Sequence, residues 1–170
     1  MLIQTNRLIL RELLLTDEEG IFALDSDPEV QIYLGNKPIT RREQARQTIA
    51  MIQQQYVDNG IGRWAVLEKE TNEFMGWAGL KLIKETINKH TNYYDLGYRF
   101  LPKYWGQGYA TQAARASLNY GFTKLHPKEI FAMTDTRNLA FRKILEKVGF
   151  RCLNTFDYAG TPHYWFRIIA

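Results

Sequence analysis

The sequence has very little cysteine: of 170 residues, only Cys152 carries a thiol. An intrachain disulfide and a thiolate metal cluster are excluded. No metal site is expected, and Cys152 is read as a small apolar packing residue. Long apolar runs are missing too. Nothing approaches the ~20 residues needed to span a bilayer. The stretch MLIQTNRLILREL mixes charge with apolar residues where a signal peptide would be uniformly apolar. No membrane partner and a cytoplasmic location are therefore expected. There is no cluster of five to eight Lys or Arg residues, so the net charge of +4 is diffuse and no nucleic-acid partner is expected. A mild basic excess suits an acidic small ligand such as a nucleotide cofactor. Internal repeats, low-complexity tracts and interdomain linkers are absent as well.

What remains is the composition of one globular domain over residues 1–170, 45% hydrophobic and 24% charged. Arg7 to Arg11 alternates with a period of two and predicts a first strand. Thr16 and Glu19 have the spacing of a capping box and predict a helix over 17–25; Thr40 and Glu43 repeat it before an amphipathic helix reaching Val57 and stopped at Asn59-Gly60. Residues 63–69 and 74–82 read as a hairpin around Glu70-Thr-Asn-Glu73, and 93–100 as the next strand. Residues 84–92 are polar and read as a loop. A helix over 112–124, a strand over 127–134, a helix over 138–147 closed by Gly149, and a hairpin of 150–156 with 163–169 around Gly160-Thr-Pro162 complete the chain.

The stretch Trp105-Gly106-Gln107-Gly108-Tyr109-Ala110-Thr111 joins a strand to a helix. The first N–H groups of a helix lack internal partners and carry partial positive charge, and glycines let an anion approach them. A nucleotide-triphosphate site is disfavoured because no Lys-Ser/Thr follows the glycines.

This loop resembles the acetyl-CoA pyrophosphate loop of the GNAT N-acetyltransferase superfamily. Gly108 and Ala110 fill its last two places, and Trp105 stands where Arg or Gln is usual. The tyrosine-tryptophan-glycine combination followed by GYAT, together with RLILRE near the N-terminus, is similar to the Rim-type ribosomal-protein N-terminal acetyltransferase branch. Asn138 to Phe150, ending Leu-Glu-Lys-Val-Gly-Phe, resembles a further family segment, so the likeness covers nearly the whole chain. The resemblance implies an α/β fold with a mixed, mostly antiparallel sheet of six or seven strands and helices on both faces. It implies acetyl-CoA as cosubstrate and a primary amine as acceptor, on a peptide N-terminus or a small molecule. A monomer or homodimer is expected.

The same resemblance assigns roles. The strands over 93–100 and 128–134 would splay to admit the pantetheine arm, which would pair with backbone near Phe100 and Leu101. The N–H groups from Gln107 to Thr111 would hold the pyrophosphate. Asn138 would cap its helix and bond the arm. Asp95, in DLGY, stands where Rim-like relatives carry a carboxylate and is the candidate base; Glu68 is the second. Chemically, an amine must lose a proton before it attacks a thioester, so a carboxylate beside the acceptor is the group to look for. The family's serine that assists the leaving thiol is replaced here by Phe141, and the tyrosine of other branches by Leu145. This departure keeps a second reading open, a non-catalytic acyl-CoA-binding module.

Overall fold

The computed structural model describes residues 2–170. The chain runs β1 (Leu2–Gln4), β2 (Leu8–Glu12), α1 (Glu18–Asp25), α2 (Pro28–Gln31), α3 (Arg42–Asn59), β3 (Trp64–Glu68), β4 (Phe74–Ile83), β5 (Tyr93–Phe100), α4 (Tyr109–Tyr120), β6 (Glu129–Asp135), α5 (Leu139–Lys147), β7 (Arg151–Tyr158) and β8 (Thr161–Ile169). All strands join one sheet in the order β1-β2-β3-β4-β5-β6-β8-β7. Every neighbouring pair is antiparallel except β5 with β6. The expected architecture is present, with eight strands where six or seven were expected. The added strand is β1, whose three residues pair with Gln4 opposite Ile9 and Leu2 opposite Arg11; three residues are too few for a period of two to register.

Strand alternation decides what each face holds. Leu8, Leu10, Trp64, Val66, Ala78, Leu80 and Leu96 turn to one face, where Ala113, Ala114 and Leu118 of α4 and Leu145 of α5 cover them. Ala65 turns to the other, against Leu13, Ile21, Ala45, Ile49 and Ile52, with Phe74 and Trp77 packed alongside. β3 is therefore buried on both faces and reads in sequence as an unbroken apolar run. Farther along the second face, Ile83, Tyr93, Phe131 and Trp165 form a separate aromatic-rich cluster.

Several local expectations are corrected. No side chain caps α1; Asp17, just before it, accepts from the N–H of Leu14 across the preceding short turn and pairs with Arg11. At α3 it is the Gln44 side chain that accepts from the N–H groups of Thr40 and Arg41. Gly60 ends α3 in the left-handed conformation, as its sequence position predicts. The last hairpin turns at Ala159 and Gly160, both at positive φ, and Pro162 lies within β8 opposite Asp157. Cys152 is exposed rather than packed, on the edge strand β7. α4 begins at Tyr109, three residues before the predicted start.

Candidate acyl-CoA and amine site

β5 and β6 share a single register pair, Asp95 with Phe131. Beyond it, toward Phe100 and Asp135, no further pair joins them. The Leu101 N–H bonds the Met75 carbonyl, which sets odd positions of β5 onto β4. Even positions then turn their backbone groups toward the opening. The Phe100 carbonyl there accepts a 2.8 Å bond from Nε1 of Trp105. Trp105, which stands in place of the usual Arg or Gln, thus fixes the end of β5.

The loop after β5 bends through Gly106 at φ 72° and Gly108 at φ 83°. Gly108 is the N-cap of α4 and no side chain caps the helix. The N–H groups of Tyr109, Ala110 and Thr111 are therefore without the side-chain acceptor that usually satisfies a helix start. No atom lies within 4 Å of where a Cβ on Gly106 would sit. The chain's beginning holds this loop from behind. Arg7 Nη1 donates to the Gln107 carbonyl at 2.9 Å, and its guanidinium lies 4.2 Å from the Tyr109 ring centre. Thr5 Oγ1 donates to Gln112 Oε1 at 2.8 Å. A cavity of about 600 Å³ opens beside the loop, lined by Thr5, Arg7, Gly108, Thr111, Gln112 and Arg115. An open helix start, an unobstructed glycine and two guanidinium groups fit a phosphate-bearing ligand. Arg7 carried no sequence signal for this role beyond its place in RLILRE.

α5 brings the second group of residues. The Asn138 side chain accepts from the Phe141 N–H at 3.2 Å and caps the helix. Phe141 stacks flat on Tyr98 of β5, ring centres 4.4 Å apart and planes 12° apart. Burial pushes the Tyr98 phenol up, so it stays neutral.

Asp95 lies on the opposite face, at the last pair before the opening. Its Oδ2 accepts from Arg63 Nη2 at 2.6 Å. Arg63 also donates to the carbonyls of Gly79 and Asp95. Register places Gly79 opposite Gly97. A Cβ on Gly97 would stand 2.7 Å from Arg63 Nη2, so this glycine makes room for the guanidinium. Only 13% of the Asp95 side chain is exposed. Burial raises its pKa, and the Arg63 charge offsets that in part. Oδ1 has no hydrogen-bond partner among the described residues. Glu68, by contrast, ends β3 and accepts from Thr71 of the following turn. His163 bonds the Thr161 carbonyl across its own turn.

Sequence reasoning missed Arg63, which is 32 residues from Asp95. The signal available was a pair of glycines within adjacent strands, the mark of a close approach. It also missed Arg99 with Asp25 and Arg137 with Asp135, ion pairs of 2.6 Å and 2.7 Å.

Comparison with known proteins shows the family and the fold. Residues 7–151 match the family described as Acetyltransferase (GNAT) domain. The chain is 33% identical to an uncharacterized N-acetyltransferase, p20, of Bacillus licheniformis, over 86% of this chain and 80% of that one. A spermidine N-acetyltransferase from Vibrio cholerae, solved with CoA and spermine, superposes with a TM-score of 0.78 at 20% identity, covering 97% and 96% of the two chains. A ribosomal-protein-S5-alanine acetyltransferase from Vibrio fischeri does so at 0.79 and 16%, covering 99% and 96%. The chain belongs to the GNAT family, as an N-acetyltransferase that uses acetyl-CoA.

Proposed function

We propose that the protein moves the acetyl group of acetyl-CoA to a primary amine with Asp95 as the proton acceptor. The observation that carries this reading is the place of Asp95: the last register pair before the β5–β6 opening, one carboxylate oxygen fixed by Arg63 and the other free. Acetyl-CoA supplies the activated thioester. The N–H groups from Gln107 to Thr111, on the loop shaped by Trp105, Gly106, Gly108, Tyr109 and Ala110, hold its pyrophosphate. Backbone at Phe100 and Leu101, with Asn138 and Phe141, lines the pantetheine path; the Leu101 N–H bonds the Met75 carbonyl and the Leu101 carbonyl accepts from the Tyr104 N–H. Asp95 takes one proton from the ammonium, freeing the lone pair that forms the C–N bond; the nitrogen then gives a second proton to water as the C–S bond breaks and the thiolate leaves. Neither Phe141 nor Leu145 carries a proton to give, so water protonates the departing thiolate.

A protein N-terminal amine comes first among acceptors, on the Rim-like loop and the ribosomal-protein neighbour in fold. A small-molecule amine is second, on the spermidine neighbour. The enzyme is placed in the cytoplasm, as a monomer or homodimer. Among the described residues no helix is long and apolar enough to cross a membrane. Single-turnover reactions with an amine panel, read by product mass, test the reading. Acetyl-CoA binding without transfer to any amine would make the chain a binding module instead.

Phe141 separates two uses of one position. Its stack on Tyr98 is worth ~0.5–1.5 kcal/mol beyond area burial. Phe141→Ser is therefore expected to lower Tm by a few degrees and weaken acetyl-CoA binding, with kcat unchanged. A higher kcat in that variant would show that the position governs the leaving thiol.

A further inference from the structure

On the face of the sheet that holds Asp95, besides the Arg11–Asp17 pair, three further carboxylates are buried, and an arginine occupies each one. Arg63 bonds Asp95 at 2.6 Å, Arg99 bonds Asp25 at 2.6 Å, and Arg137 bonds Asp135 at 2.7 Å. Asp25, Asp95 and Asp135 have side-chain exposures of 8%, 13% and 3%. The Arg137 hydrogen bonds hold the Asp135 carboxyl below the usual carboxylate range. Two of the pairs, those of Arg63 and Arg99, share one aromatic ring. Trp77 and Arg99 are register partners. The guanidinium groups of Arg99 and Arg63 lie 5.0 Å and 5.5 Å from the centre of the Trp77 indole. Arg137 lies 5.7 Å from the Tyr33 ring, which brings the segment after α2 over the end of β6.

This charge arrangement favours one kind of acceptor. A polyamine has several ammonium groups, each of which needs a carboxylate with lone pairs to spare. Here the buried carboxylates are already neutralised, and a second ammonium would meet Arg99 or Arg137. An acceptor oxygen finds the opposite. Arg99 spends Nη1 on Asp25, while its Nε is buried without a partner. A guanidinium has five donors in a fixed fork that suits carboxylate and carbonyl oxygens. The Trp77 face beneath it restrains the fork in one plane.

We propose that the acceptor is an α-amine with a carbonyl or carboxylate oxygen beside it, that Arg99 binds this oxygen, and that polyamines are rejected. The proposal rests on reading the Asp95 face as the acceptor cleft. It deepens that reading by naming a specificity-determining residue. The shared chemistry has two sources, a free amino acid and a peptide N-terminus, and the test separates them.

Calorimetry on the CoA-saturated protein would compare a free α-amino acid, a tetrapeptide with a free N-terminus, and spermidine. Binding is the readout, so a catalytic failure would not be mistaken for a failure of this proposal. One of the two α-amines is expected to bind at least about tenfold more tightly than spermidine. The stronger of them identifies the source. Arg99→Lys keeps the charge beside Asp25 but removes the fork. It should weaken the preferred α-amine by about tenfold while leaving spermidine and CoA within twofold. Arg99→Gln, which keeps donors without the charge, should fall between the two. Spermidine binding as tightly as both α-amines, or equal losses for all ligands in Arg99→Lys, would overturn the proposal.

Discussion

Replacing Asp95 by Asn should lower kcat/KM for amine acetylation at pH 7 by ~10²–10⁴-fold, the usual loss for a general base. The substitution leaves the shape intact. Asn Oδ1 can still accept from Arg63 Nη2, and Arg63 keeps its bonds to the Gly79 and residue-95 carbonyls. What disappears is the free oxygen able to take a proton. The pH profile sharpens the test. Burial raises the pKa of Asp95, so its carboxyl stays protonated and idle up to a pH above the ordinary value of ~3.9. Activity in the wild type should rise with pH through that shifted pKa. In Asp95→Asn this limb should vanish. Only the rise caused by deprotonation of the acceptor amine should remain, so the deficit should shrink at high pH. Near-normal kcat/KM at pH 7 would make Asp95 a purely structural partner of Arg63.

Gly108→Glu should weaken acetyl-CoA binding by at least tenfold, ~1.4 kcal/mol, measured by calorimetry. Three effects act together. The backbone at φ 83° is left-handed, a conformation that costs a side-chain-bearing residue ~1–2 kcal/mol. The new Cβ would stand 3.2 Å from Arg7 Nη2, so the carboxylate is held beside Arg7 and competes for it. Its charge also repels phosphate at the open helix start. Gly108→Ala isolates the backbone effect and should lose less. Gly106→Ala has a comparable φ of 72° but no close neighbour, so it reports backbone strain alone. Wild-type affinity in Gly108→Glu would remove this loop as the phosphate site.

The elements that were legible in sequence are those whose signals are local. Leu8 and Leu10 lie two apart in a short apolar run bounded by Arg7 and Arg11, Gly60 stops a helix, and Gly106 and Gly108 announce a turn before a helix; each needs only a few residues of context. The face of Asp95 was also readable from alternation. What that face meets was not, because Arg63, Asp25 and Arg137 reach it from three separate segments. The misplaced features share a second cause. Ala159 adopts φ 51° although alanine seldom does so, so the turn was read one step late, at Gly160-Thr-Pro162. Cys152 lies exposed on β7, and a local sequence pattern does not report which strand forms the edge of the sheet. At Thr16 and Thr40 the capping spacing was present, while Asp17 and Gln44 formed the actual bonds. At α3 the Gln44 side chain takes the Thr40 N–H that a capping box would give to Glu43, whereas Asp17 takes the Leu14 N–H, two residues before Thr16.

The single register pair between β5 and β6 divides the sheet into two blocks, β1–β5 and β6–β8, with a narrow seam between them. Elsewhere in the sheet a ladder of successive bonds resists sliding; along the seam one pair does so, helped by the helices lying across it. A ligand lodged in the seam therefore contributes to the integrity of the fold as well as to chemistry. By mass action, a ligand at a hundred times its Kd adds ~2.7 kcal/mol to the free energy of unfolding, and here that increment falls where the backbone is least cross-linked. The concentration of the cosubstrate thus sets how firmly the two blocks are joined, and the resting stability of the enzyme follows the acetyl-CoA supply around it.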